Sequence, residues 1–318
     1  MTASAIKSTM TAAYGGATWS PRGSDRDDFV ASWGDWGSSS ECGTLRAVLL
    51  KHPGPELDQI ADFEAAQMRA PLDPARARAQ HQGLIAAYEA QGVAVHLVPT
   101  SRPDKPNALF CRDLMLMTPA GAIIARPAST VRAGEERYVA EALGRLGVPI
   151  LMSVHGEGTF EGADVSWVNR DLCFLAEGLR TNRAGADQVE WALRSLGVEV
   201  VRVQLPFGAM HLDGLLNFPD RDVAAIWPRR TPFPVWRTLQ QRGFRFIEVE
   251  DEVEAQACLP LNFVALAPGK ILMPTGGERL KARYHEAGIE TVEVEVDELI
   301  KAGGGIHCMT AFLRREEV

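Results

Sequence analysis

Three consecutive glycines lead into a cysteine in the stretch Ala302-Gly303-Gly304-Gly305-Ile306-His307-Cys308-Met309-Thr310. Glycine lets the backbone take positive φ and approach a ligand closely, so the Cys308 thiol is expected to face whatever occupies a site there. A cysteine that merely starts a strand as a small core residue needs no such run. Upstream, Met210-His211-Leu212-Asp213 sets an imidazole and a carboxylate two positions apart. On a strand, alternate residues share a face, so His211 and Asp213 are expected to point together while Leu212 turns into the packing. By the same alternation His307 faces away from Cys308 and is structural. Further carboxylates, Asp113, Glu161 and Asp164, stand just ahead of other apolar runs. A thiol, an imidazole and several acids in one place suit nucleophilic and general acid–base chemistry. The set does not suit a metal, since there is no second close Cys or His; neither metal nor cofactor is expected.

What would bring these residues together is a repeat. The copies LMLMTPAGAIIA from Leu114, VSWVNRDLCFLA from Val165, LLNFPDRDVAAI from Leu215 and FVALAPGKILMP from Phe263 each read as two apolar runs joined by a short turn. After each comes a helical stretch and a closing strand: LGVPILM, LGVEVVRV, RGFRFIEV and AGIETVEV. The helices are expected at Gly134 to Leu146, Ala184 to Leu196, Pro234 to Arg242 and Gly277 to Ala287. A looser first unit holds LRAVLLKHP, a helix from Pro74 to Ala90 with Asp73 as its N-cap, and VAVHLV beyond Gly92. That makes five units of ββαβ type, the mark of a closed radial array. Chemistry-bearing residues just ahead of equivalent hairpins then converge on a central axis: Asp113, Glu161 with Asp164, His211 with Asp213, and Cys308 opening the last strand. A Rossmann-like sheet would not need a hairpin per unit, and no G-x-G-x-x-G opens a helix.

The chain has 318 residues with 46% hydrophobic and 23% charged side chains, enough for a large core. Residues 43–318 read as a single catalytic domain. Residues 1–42, rich in Ser, Thr, Gly and Ala but holding Trp19, Trp33 and Trp36, read as a partly ordered extension or as a segment packed on the body or on a second subunit. A homo-oligomer stays open. The net charge of −8, with no Lys/Arg block, argues against nucleic acid and is compatible with a cationic substrate. No apolar stretch approaches the roughly 20 residues of a membrane helix, and the N-terminus lacks a signal-peptide core, so a cytoplasmic protein is expected. The five cysteines are scattered and expected as free thiols, Cys111 and Cys173 in the core.

The ordered motifs resemble those of the guanidino-group-modifying enzymes of the pentein superfamily, which include arginine deiminases, dimethylarginine dimethylaminohydrolases and glycine amidinotransferases. Asn107-Ala108-Leu109-Phe110-Cys111-Arg112-Asp113 is similar to the deiminase N-x-x-F-x-R-D, Phe160-Glu161-Gly162-Ala163-Asp164-Val165 to E-G-G-D-V, Met210-His211-Leu212-Asp213 to H-L-D, and Gly303 to Thr310 to the nucleophile segment. The resemblance covers nearly the whole chain and implies the five-fold α/β propeller of the penteins. It implies Cys308 as nucleophile, His211 as acid and base, Glu161 as its orienting partner, and Asp113 and Asp213 as holders of a guanidinium. Asn107, Phe110 and Asp164 are implied near the substrate, and Arg132 and Arg180 at its carboxylate. A third deiminase arginine has no counterpart, Lys301 and Gly303 standing near its place. The implied activity is hydrolysis of arginine or a substituted arginine through a thiouronium. The alternatives are transfer of the amidino group to an amine and, on the same scaffold, a non-catalytic binding protein.

Overall fold

The computed structural model describes residues 20–23, 25–99 and 104–318, so Trp19 lies outside the described residues. The chain divides into residues 1–35 and 36–318. In the first unit the described helix Arg26–Trp33 is capped by the Asp25 carboxylate and buries none of its side chains. The second unit begins earlier than the boundary expected at residue 43. Gly37 donates to Leu313 at 2.9 Å and accepts from Arg315 at 3.0 Å, while Trp36 packs edge-on to His96.

The repeat appears as five three-stranded sheets among the described residues. Four are continuous in sequence. The first holds β3 Met115–Thr118, β4 Gly121–Ile124 and β5 Ile150–Ser153, and the second β6 Val165–Asn169, β7 Leu172–Glu177 and β8 Glu199–Gln204. The third holds β9 Leu216–Asp220, β10 Val223–Ile226 and β11 Arg245–Glu248, and the fourth β12 Val264–Ala267, β13 Lys270–Pro274 and β14 Glu290–Val294. In each, a two-residue turn joins an antiparallel hairpin whose second strand is central, and a crossover helix returns the third strand parallel to it. The crossover helices are Glu136–Leu146, Arg183–Ser195, Phe233–Gln241 and Glu278–Glu286. Burial falls along each sheet: β3 and β4 are fully buried, whereas β5 is largely exposed. The first strands therefore line the middle and the third strands the rim, the layout of a five-fold pseudosymmetric α/β propeller.

The loose first unit has a structural reason. Its strands β1 Leu45–Leu50 and β2 Ala94–Leu97 pair in parallel, but the antiparallel partner of β1 is β15 Ala311–Arg315, from the far side of the sequence. The hairpin seen elsewhere in the chain is here split, and the pairing closes the ring. Between β1 and β2 runs the helix Pro74–Ala90, whose first-turn amides of Ala75 and Arg76 donate to Asp73 as expected of an N-cap. The seam is tied by Arg315, which is fully buried and donates to the carbonyls of Gly43 at 2.5 Å and Ala265 at 2.7 Å. Cys111 and Cys173 are core residues. Among the described residues no helix is long and apolar enough to cross a membrane.

Phe312 on β15 sits under the guanidinium of Arg315, 4.2 Å from the ring centroid, and meets His307 edge-on. Phe312→Ala is expected to cost about 3–5 kcal/mol, the usual range for a buried phenylalanine. Urea unfolding measures it, and a loss below about 1 kcal/mol would mean that the seam does not carry the fold.

Candidate active site

Each hairpin is preceded by a lead-in segment that crosses the axis. Three are single helical turns just ahead of a strand, Cys111–Leu114, Gly162–Asp164 and Leu212–Gly214, and a fourth, Ile306–Met309, precedes β15. The expected strand geometry for His211 and Asp213 and for Cys308 is thus corrected. His211 is the extended residue before a turn, Asp213 lies within it, and Cys308 rides on a helical turn. A strand along the wall aims alternate side chains at the axis, whereas a turn across it can present neighbours such as His307 and Cys308 to the same region.

The thiol is held from the fourth unit. Asn262, directly ahead of that hairpin, donates from Nδ2 to Cys308 Sγ at 3.2 Å. Its Oδ1 accepts the backbone N–H of His307 at 3.0 Å and of Cys308 at 3.2 Å. A Cβ on Gly304 would meet Phe110 at 2.7 Å and the Cys308 Cβ at 2.8 Å, while Gly303 adopts a φ of 114°. The glycine run is thus required for the close approach. Asp213 Oδ2 lies 3.8 Å from the sulfur. Burial first, then the charges of Asp213 and Asp113, push the Cys308 thiol well above its ordinary pKa, which favours the neutral thiol.

Asp213 is backed by a buried relay. Its Oδ2 lies 2.9 Å from His307 Nδ1, His307 Nε2 lies 3.3 Å from Glu41, and Arg112 donates to Glu41 at 2.9 Å. Burial works against charge on both acids. The His307 hydrogen bond outweighs it at Asp213, and Arg112 with His307 outweighs it at Glu41, whose pKa falls to about 2. On the opposite side His211 Nε2 lies 2.6 Å from Glu161 Oε2 and Nδ1 3.8 Å from Asp113 Oδ1. Burial alone would lower the His211 pKa, but Asp113, the Glu161 hydrogen bond and Asp164 raise it to about 10. Glu161 is desolvated yet falls to about 2 through its bond to His211 and the nearby charges of His211, Arg132 and Arg180.

These groups open into a recess with about 350 Å³ of empty volume, whose lining includes Asp113, His211, Cys308, Asn107, Phe110 and Arg180. Arg132 also reaches it, but its guanidinium is engaged by Asp113 at 2.5 Å, Glu135 at 2.8 Å and Glu161 at 3.5 Å. Arg180 is less committed, 3.4 Å from Glu161. Asp164, expected near the substrate, is instead fully buried behind the recess. It accepts from Thr181 at 2.6 Å and from the Leu212 N–H at 3.3 Å, bracing one lead-in turn against the next, and burial lifts its carboxyl to about 7. The ligand atoms of Asp113, Glu161 and His211 lie within 4.8 Å of one another, a spacing that could hold a cation, but Arg132 already supplies positive charge there.

Residue types alone do not single out Asn262, Glu41, Glu135 or the wall residue Gln67. The repeat offers a signal for Asn262, which occupies the position ahead of a hairpin that carries chemistry in the other units. Asp113 Oδ1 is buried and has no hydrogen-bond partner among the described residues. Such an orphaned acceptor costs free energy unless a ligand satisfies it.

A closed ring of five ββαβ units with a thiol, an imidazole and flanking carboxylates at its axis defines a guanidino-modifying enzyme of the pentein superfamily. Residues 62–315 match the family model described as N,N dimethylarginine dimethylhydrolase, eukaryotic. The chain belongs to the dimethylarginine dimethylaminohydrolase family. It is 29% identical over 243 residues to the N(G),N(G)-dimethylarginine dimethylaminohydrolase of Pseudomonas aeruginosa, covering 75% of this chain and 89% of that protein. It is 27% identical over 281 residues to the enzyme of that name from Streptomyces coelicolor, covering 85% and 97%. Among solved structures, a cysteine-to-serine mutant of the Pseudomonas aeruginosa enzyme complexed with citrulline superimposes with a TM-score of 0.72 at 25% identity, over 85% of this chain and 99% of that one. The N-terminal domain of a cyanobacterial arginine dihydrolase shares the fold at 21% identity and a TM-score of 0.73, over 85% and 97%. The chain is therefore a hydrolase acting on guanidino C–N bonds, and its ligand is a small guanidino compound.

Two measurements probe the electrostatics. A pKa of about 10 in the folded state, against an ordinary 6.5, means that His211 contributes stability fully present below pH 6.5 and lost as the pH rises through about 10. Histidine NMR should place its titration near pH 10 and lower it in Glu161→Gln; a midpoint near 6.5 in the unaltered protein would contradict the pairing. Asp213→Asn removes one of the charges that hold the thiol protonated, so alkylation of Cys308 by iodoacetamide at pH 7.5 is expected to speed up about threefold or more. An unchanged rate would remove Asp213 from control of the thiol.

Proposed function

We propose that the protein hydrolyses arginine or an arginine methylated or otherwise substituted on its guanidino group, giving citrulline and ammonia or an amine. The observation that carries this reading is the pair of carboxylates flanking the thiol: Asp213 at 3.8 Å from Cys308 Sγ, and Asp113, which lines a recess with Cys308 and whose Oδ1 has no hydrogen-bond partner among the described residues. A guanidinium is planar, cationic and rich in N–H donors, so it satisfies both acids through charge-assisted bonds. Burial and the charge of these acids keep Cys308 protonated; the guanidinium offsets that charge, the thiol gives its proton to solvent, and the thiolate forms only when there is an electrophile to attack.

The thiolate adds to the guanidino carbon. His211, an imidazolium at neutral pH, protonates the departing nitrogen, and the resulting thiouronium is opened by water that gives its proton back to His211. Glu161 fixes the imidazole ring and favours its charged form, and Asn262 donates to the sulfur. Arg180, with Arg132 behind it, supplies positive charge for the substrate's α-carboxylate, while Asn107 and Phe110 form the wall beside it. Asp164 is assigned to positioning the turns. The relative bound to citrulline supports the product assignment.

Mass spectrometry of products from arginine and methylarginines, each with and without glycine as acceptor, tests the reading. Citrulline without acceptor is expected. A new guanidino product formed only with acceptor would establish amidino transfer instead. Cys308→Ala should abolish turnover, whereas Arg180→Gln should raise KM about tenfold or more while lowering kcat less. Normal citrulline production by Cys308→Ala would sink the mechanism.

A further inference from the structure

Cys308 lies between two recesses. The second has about 690 Å³ of empty volume and shares Met210, His211, Gly303, Gly304 and Cys308 with the first. The two differ in their carboxylate: Asp113 lines only the first, Asp213 only the second. A guanidinium held between these acids therefore has one nitrogen toward each recess. The first, with Arg180 and Asn107, suits the amino-acid end of the molecule, and the second receives whatever the distal nitrogen carries.

The walls of the second recess are largely apolar, with Leu215, Leu259 and Leu261 among them; apart from Asp213 and Asn262, which contact Cys308, the polar side chains beyond the shared site, Trp227 and Arg230, are donors. Trp227 is 6% exposed and its indole N–H has no hydrogen-bond partner among the described residues. The half-buried Arg230 lies with its guanidinium 4.4 Å from the Trp227 ring centroid and has no carboxylate partner among the described residues. An unpaired indole N–H beside an unpaired guanidinium calls for an acceptor, and an anionic one satisfies both. A methyl group would leave both unmet.

We infer that the second recess is a leaving-amine subsite for a carboxylate-bearing substituent, so that the favoured substrates are arginines whose distal guanidino nitrogen carries a short carboxyalkyl chain. This rests on the hydrolase reading above. Cys308, its thiol proton given to solvent, forms a bond to the guanidino carbon, the bond from that carbon to the substituted nitrogen breaks, and the nitrogen leaves with its electron pair and a proton from His211 as an ω-amino acid, which takes up the solvent proton. Water then displaces the sulfur, returning one proton to His211 and one to Cys308, so substrate and water give citrulline and the amino acid.

The test compares kcat/KM for Nω-(2-carboxyethyl)-L-arginine and Nω-methyl-L-arginine in the unaltered protein, Arg230→Gln and Trp227→Phe. A preference for the carboxyethyl compound of about tenfold or more is expected, falling toward one in Arg230→Gln and by a smaller factor in Trp227→Phe. Because the readout is a ratio, a general loss of folded enzyme does not move it, and Trp227→Phe stands in if Arg230→Gln does not fold. Citrulline from the methyl compound with little or none from the carboxyethyl one, or a ratio unchanged in both variants, overturns this inference alone. No citrulline from either compound overturns the hydrolase reading with it.

Discussion

The site depends on closure of the ring. Among the described residues, antiparallel pairing of β15 with β1 is the one strand pairing not made within a consecutive unit, and it brings together segments from opposite sides of the sequence. Cys308 lies just ahead of β15 and Glu41 just ahead of β1, so one seam delivers both the thiol and the acid that anchors its neighbour His307. Without the seam the other lead-in turns would still present acids and an imidazole, but without the thiol and with Asp213 unbacked.

Closure also forces an electrostatic problem. Six buried carboxylates, Glu41, Asp113, Glu135, Glu161, Asp164 and Asp213, lie at or close behind the axis. A buried charge is tolerated only when paired. Arg112, Arg132, His211 and His307 provide the counter-charges, each shared between at least two acceptors. The balance is less complete around Asp113, whose Oδ1 has no hydrogen-bond partner among the described residues, and Cys308 stays protonated. Attraction for a cation and the protonation of the thiol thus share a source: the same negative charge that draws a cation adds to burial in keeping Cys308 protonated.

Much of this was legible in the residues. The four hairpins, their crossover helices and the Asp73 cap follow from apolar patterning and turn chemistry, and the position ahead of each hairpin carries the site. The same positional rule reaches Asn262, but an amide neither titrates nor attacks, so residue type passes over it. The lead-in turns are too short for any periodicity, which is why a strand reading of Met210 to Asp213 and of Cys308 places these residues on the wrong backbone. Glu41 follows Ser38, Ser39 and Ser40 in what reads as a loop, and its partner His307 is 266 positions away in sequence. No local signal joins them. Arg132 and Asp164 look alike as ligand-facing charges until packing shows the first held by three acids and the second fastened to Thr181 and the Leu212 amide.

The order of the units has a temporal consequence. During synthesis four complete sheets emerge, each able to pair internally, before the strand that seals the first unit and the cysteine just ahead of it. Contacts over such separations form slowly relative to local ones. A nascent or partly unfolded chain can therefore place its acids and imidazole before its thiol, and the full site assembles in a single late step. Any cut within the seam takes the thiol out of the site at once rather than by degrees.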